Sequence, residues 1–166
     1  MCVTYSQSAL REIGASVPLP SAGLRARAPA TLTPPSHYMT PSTDILIIED
    51  DEIMREALSE WLTAAGYGVR AAADGSAGLE ALGFAAPSLV VTDIHMPGMN
   101  GAMVIAELKQ RNPEIPVIAI SCLFNSGHGL DADAAIALGA ARALAKPFKR
   151  RDLLRAVADV IGLPAT

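Results

Sequence analysis

The chain is poor in aromatic residues and cysteine. Phe, Trp and Tyr make up 4% of its 166 residues, although 51% are hydrophobic. A core with so little ring volume must be built from Ala, Val, Ile and Leu, which suits helices packed on a buried parallel sheet. Cys2 and Cys122 are the only cysteines. Two thiols make neither a disulfide framework nor a zinc site, and both read as reduced in a cytoplasmic protein, with Cys122 expected to pack as a small apolar residue. No apolar run approaches the roughly 18–20 residues that cross a bilayer. The opening residues also lack the basic and then apolar regions of a secretion signal. Positive charge is sparse where the chain becomes regular. Of 13 basic and 17 acidic residues, Arg11, Arg25, Arg27 and Glu12 fall before residue 44, leaving 10 basic and 16 acidic beyond it. That acidic body argues against a nucleic-acid surface, which needs clustered Lys and Arg to displace counterions from phosphates.

Half of the 12 prolines also fall before residue 44. The stretch APATLTPPSHYMTPST has neither a helical nor a strand period, so residues 1–43 are expected to be a disordered N-terminal extension. Met39, just ahead of the regular part, is a candidate alternative start. The folded part is expected over 44–163.

From Asp44 onward, short apolar runs alternate with segments of helical spacing. Strands are expected at 45–48, 67–73, 88–93, 116–121 and 142–145. Helices are expected at 51–65, 75–84, 101–111, 130–139 and 149–161, with Gly66 and Gly139 as stops and Leu153, Leu154, Val157, Val160 and Ile161 as the buried face of the last one. Five strand–helix repeats imply an α/β fold, a doubly wound parallel sheet with right-handed crossovers and helices on both faces. Periodicity does not supply the strand order. The flavodoxin-like order 2-1-3-4-5 is adopted by analogy.

Polar residues end the apolar strands: Glu49 and Asp50 after ILII, Asp93 after LVVT, Ser121 after VIAI, and Lys146 after the fifth strand. In a parallel sheet these positions converge at one edge. Three carboxylates there repel one another unless a cation intervenes, and an all-oxygen set suits Mg²⁺ better than zinc. Asp93 then reads as a nucleophile that takes a phosphoryl group. Lys146 pairs with it before and after transfer, and Ser121 offers a hydroxyl that can turn toward a phosphoryl oxygen.

The blocks IIEDDE, VVTDIHMPGMNG, VIAIS and ALAKPF, in this order, resemble the signature segments of bacterial response-regulator receiver domains over about 44–162. The resemblance implies a (βα)5 fold, Mg²⁺ dependence and phosphotransfer from a histidine kinase or histidine phosphotransferase. It implies Asp93 as phosphoacceptor, Glu49 and Asp50 as the acidic pair, and the main-chain carbonyl of His95 as a further metal ligand. It also implies Ser121 as the switch hydroxyl, Lys146 as the phosphate-pairing lysine, and a cis Lys146–Pro147 peptide. Only GLPAT follows the last helix, so the expectation is a stand-alone receiver, a monomer or weak dimer. It would signal through an unidentified downstream protein or by passing phosphate on, with no nucleic acid or membrane partner.

Two features depart from the family pattern. Ala143 stands where Tyr or Phe is usual, three residues before the lysine, and the segment from Ser121 to Gly139 is longer than typical, with the excess placed in LFNSGHG. Ala143 leaves room for a second reading, a constitutive binding module that no longer switches. An Asp-nucleophile phosphohydrolase using the same carboxylates needs a substrate pocket and usually a further acid close after the nucleophile, for which His95 is a poor substitute. A flavin-binding flavodoxin conflicts with the acidic EDDE turn where a phosphate cradle would stand.

Overall fold

The computed structural model describes residues 43–124 and 132–164. The disorder expected before residue 43, and most of the lengthened LFNSGHG segment, lie outside the described residues.

The elements alternate without exception: β1 (Asp44–Ile48), α1 (Glu52–Thr63), β2 (Gly68–Ala72), α2 (Gly75–Phe84), β3 (Leu89–Asp93), α3 (Gly101–Arg111), β4 (Val117–Ser121), α4 (Ala132–Ala137), β5 (Arg142–Ala145) and α5 (Arg150–Ile161). All strand pairings are parallel and the order is β2-β1-β3-β4-β5. The doubly wound, flavodoxin-like arrangement is therefore the one adopted.

The central strands are apolar throughout because both of their faces are covered. Successive side chains alternate between two cores. Ile45, Ile47, Leu89, Val91, Ile118 and Ile120 pack with Leu58 and Leu62 of α1 and Leu153 and Val157 of α5. Leu46, Ile48, Val90, Val117 and Ala119 pack on the other side with Val104, Ile105 and Leu108 of α3 and Ala135 of α4. In α5, Leu153 and Val157 are fully buried, while Leu154, Val160 and Ile161 are half-buried at the rim of the same core. The helix starts follow side-chain caps: Asp51, Asp74 and Asn100 accept from the backbone N–H groups of Met54, Ala77 and Met103 at 2.8, 2.8 and 3.0 Å. Gly66 and Gly139 end their helices with φ of 94° and 109°, a region costly to any residue with a Cβ.

One apolar expectation is corrected. Cys122 is exposed rather than packed, because β4 ends at Ser121 and the next residue lies past the part of the sheet that the helices cover. Phe84, at the last turn of α2, is 89% exposed.

Candidate functional site

Strand register builds the site before any side chain is considered. Ile48 pairs with Thr92, so the next residues, Glu49 and Asp93, leave neighbouring strands side by side. Asp93 pairs with Ile120 and Ser121 with Ala145, which brings Ser121 and Lys146 to the same edge. Main-chain bonds continue the sheet past the strand ends: Glu49 N–H donates to Ala72 O at 3.1 Å, Ile94 N–H to Ile120 O at 2.9 Å, and Lys146 N–H to Ser121 O at 2.8 Å. Four chemistry-bearing side chains from four strand ends thus meet on a hydrogen-bonded frame.

Oxygen atoms of Glu49, Asp50 and Asp93 lie within 4.8 Å of one another. Glu49 and Asp93 are buried, at 1% and 7% exposure, and Asp50 is exposed. Lys146 places its Nζ 2.9 Å from Glu49 Oε2 and 2.5 Å from Asp93 Oδ2. Burial raises the Glu49 carboxyl above its usual 4.5, and the neighbouring Asp93 charge adds to this, outweighing the lowering effects of Lys146 and the Asp51 N–H. For Lys146 burial acts downward, but its hydrogen bonds and attraction to Asp93 and Glu49 prevail, and the ammonium is held above 10.5. The donor set is all carboxylate oxygen, the chemistry a hard divalent cation such as Mg²⁺ takes, and it fits the ion inferred from sequence.

Asp50 and Asp51 divide the labour at the acidic turn. Asp51 caps α1, which accounts for one acid structurally, and Asp50 is the one that joins the cluster. Arg55, not singled out in the sequence, donates from Nη1 to the carbonyls of Glu49 at 2.8 Å and Asp50 at 3.2 Å, fixing the turn from below. Gly101, in the PGMNG segment, lies against the backbone of Asp93. A Cβ there would sit 2.8 Å from the Asp93 carbonyl carbon and from Ile94 Cα, and closer still to the Asp93 carbonyl oxygen.

His95 holds two parts of the site at once. Its N–H donates to Asp93 Oδ1 at 2.9 Å, and its Nδ1 lies 2.9 Å from Ser121 Oγ. Ser121 is fully buried and also accepts from Leu123 N–H at 3.0 Å. His95 is exposed, but its contact with Ser121 spans 26 residues and leaves no trace in any local pattern. Ala143, where the family has an aromatic, is half-buried against the α3–α4 side of the core. The Lys146–Pro147 peptide is cis.

The family model for the response regulator receiver domain matches residues 45–158. The chain belongs to the response regulator receiver family. This receiver is 38% identical over 111 residues to the Regulator of RpoS of Escherichia coli, covering 67% of this chain and 32% of that protein. It is 37% identical over 114 residues to the response regulator protein FleR of Pseudomonas aeruginosa, covering 69% of this chain and 24% of FleR. The chain thus spans about a third or less of these curated relatives. Among solved structures, the receiver domain of NtrX from Brucella abortus is 34% identical with a TM-score of 0.65, over 71% of this chain and 98% of that domain. A response regulator receiver domain protein from Clostridium thermocellum is 26% identical with a TM-score of 0.64, over 71% of this chain and 93% of the other. Receivers of this family are phosphoacceptor modules of two-component signalling. Among the described residues, no helix is long and apolar enough to cross a membrane.

Proposed function

We propose that this receiver accepts a phosphoryl group on Asp93 from a phosphohistidine of a histidine kinase or histidine phosphotransferase. An Asp93 carboxylate oxygen forms the new O–P bond as the P–N bond to the donor imidazole breaks, and the imidazole leaves with the electron pair and takes up a proton from solvent. Glu49, Asp50, Asp93 and the main-chain carbonyl of His95 are the residues that would hold Mg²⁺. When bound, the ion neutralises charge that builds on the phosphoryl oxygens during transfer. Lys146 orients the Asp93 carboxylate beforehand and pairs with the phosphoryl group afterwards. Ser121 turns its hydroxyl to that group, and the change of conformer carries the signal. The readout is binding to a downstream protein or onward phosphotransfer by a cytoplasmic monomer or weak dimer, and the acidic body favours a protein over nucleic acid as the partner.

The observation that most supports this reading is the Lys146 ammonium, 2.5 Å from a buried Asp93 whose neighbours are two further carboxylates. Incubation of the full chain with acetyl phosphate and Mg²⁺, followed by intact mass, tests it. One phosphoryl adduct is expected, absent in Asp93→Asn and absent with excess chelator. No adduct on the unmodified chain, or an equal adduct on Asp93→Asn, would overturn the assignment.

A further inference from the structure

The signalling step requires the Ser121 hydroxyl to leave one set of partners for another, and the structure shows what it must leave. Its oxygen accepts from Leu123 N–H at 3.0 Å, and its other partner is His95 Nδ1 at 2.9 Å. With one lone pair occupied by Leu123, the hydroxyl meets Nδ1 either as donor or, through its second lone pair, as acceptor, according to the imidazole tautomer, and in both cases the ring holds Oγ in place. The same residue donates its main-chain N–H to Asp93 Oδ1 at 2.9 Å. His95 therefore touches the phosphoacceptor through its backbone and the switch hydroxyl through its side chain.

We propose that the His95 side chain is a positioning residue that retains the Ser121 hydroxyl in the unphosphorylated conformer and so sets how much the switch must give up to turn. The inference rests on Asp93 being the phosphoacceptor and Ser121 the switch hydroxyl. Its physical content is a competition for one hydroxyl. In the resting protein Ser121 Oγ is hydrogen-bonded to the imidazole, and in the phosphorylated protein the same hydroxyl turns away to donate to a phosphoryl oxygen. A two-state element shifts only by the difference in what each state offers. A hydrogen-bond partner present in one state alone biases the equilibrium against the other. Ser121 is buried, so its hydroxyl has little water to substitute for the lost partner. The imidazole is exposed, so water can take its place at Nδ1 once the bond opens. The bond is consequently tight enough to bias the switch and open enough to break. With Ala143 in place of an aromatic that would move with the hydroxyl, this contact is a local means of setting the balance.

The test is a titration of the full chain with beryllofluoride, a mimic of the phosphoryl group, at saturating Mg²⁺, followed by amide NMR. Losing one resting-state hydrogen bond predicts that His95→Ala reaches half-saturation at about 2- to 10-fold lower beryllofluoride. His95→Asn, whose amide reaches the place of Nδ1, should return toward the unmodified value. In a Ser121→Ala background, His95→Ala should change nothing further, because the two side chains act through one contact. In the unmodified protein, the ¹⁵N resonance of His95 Nδ1 should shift on saturation as the hydroxyl departs. Equal half-saturation for His95→Ala and the unmodified chain would overturn the proposal. So would an equal shift in the Ser121→Ala background, or an Nδ1 resonance that does not respond. Failure of the unmodified chain to take up beryllofluoride at all would overturn the phosphoacceptor reading and this inference with it, a result distinct from binding that is indifferent to His95.

Discussion

Replacing Lys146 by Met removes the ammonium while keeping the length of the side chain, and the surroundings of Nζ fix what should follow. The Lys146 side chain is 15% exposed, and the side chains alone of its two partners, Glu49 and Asp93, are 1% and 9% exposed. Breaking a buried pair by deleting one partner leaves an uncompensated charge and typically costs about 3–5 kcal/mol. Here two carboxylates are left facing each other, with a third within 4.8 Å. The acids escape part of that cost by binding a proton. Glu49 is already above 4.5 through burial and the Asp93 charge, and loss of Lys146 removes an influence that lowers it. A carboxyl whose folded pKa exceeds its unfolded value favours the folded state while protonated, and that advantage disappears as pH rises from the unfolded pKa through the folded one. The deficit of Lys146→Met relative to the unmodified chain should therefore be smallest near the ordinary carboxyl value of 4.5 and grow toward about 3–5 kcal/mol as pH rises through the raised value of the Glu49 carboxyl. Urea unfolding followed by circular dichroism, in chelator and at a series of pH values, measures it. Added Mg²⁺ should narrow the gap by supplying the missing positive charge. A deficit below about 1 kcal/mol at neutral pH, or one that does not change with pH, would refute the claim that the ammonium offsets buried acid charge.

Two further substitutions probe the frame. Gly101→Ala forces its new methyl into the Asp93 backbone, which can move only by displacing β3 or the start of α3. Destabilisation of about 3 kcal/mol, the upper part of the range for overpacking, is expected in thermal unfolding, together with slower phosphorylation by acetyl phosphate. Arg70 donates from Nε to Asp44 Oδ2 at 2.8 Å, and from Nη1 and Nη2 to the carbonyls of Ala81 and Ala85 at 3.0 and 2.9 Å. Arg70→Met should cost about 1–2 kcal/mol, discounted for partial exposure, and should accelerate amide hydrogen exchange in the last turn of α2 more than in β3.

The residues that assemble the candidate site were readable because each directly follows an apolar run. ILII, LVVT and VIAI are continuous because their strands are buried on both faces, and the first polar residue after each run marks the point where the sheet ends. Glu49, Asp93 and Ser121 could therefore be assigned to one edge before the strand order was known. The order itself came by analogy, since hydrophobic period reports which face a residue takes and not which strand lies beside it. The links between distant residues were not legible for the same reason. Nothing in HMPGMNG indicates that the His95 ring reaches Ser121, and nothing in REAL indicates that Arg55 turns back to the carbonyls of Glu49 and Asp50. The exposure of Cys122 is a matter of position rather than residue type: a thiol is often buried, but this one lies one residue past the end of β4.

The Lys146–Glu49 ion pair joins positions 97 apart in the chain, from the first and the last strand ends. A nascent or clipped polypeptide that stops after β4 would carry every acid of the cluster and no ammonium to accompany them. Its carboxylates would resist being gathered until the last forty or so residues arrive, roughly a third of a domain of ordinary size. Competence to receive phosphate would consequently report that the whole sheet has closed, and separately expressed halves should regain it only by associating.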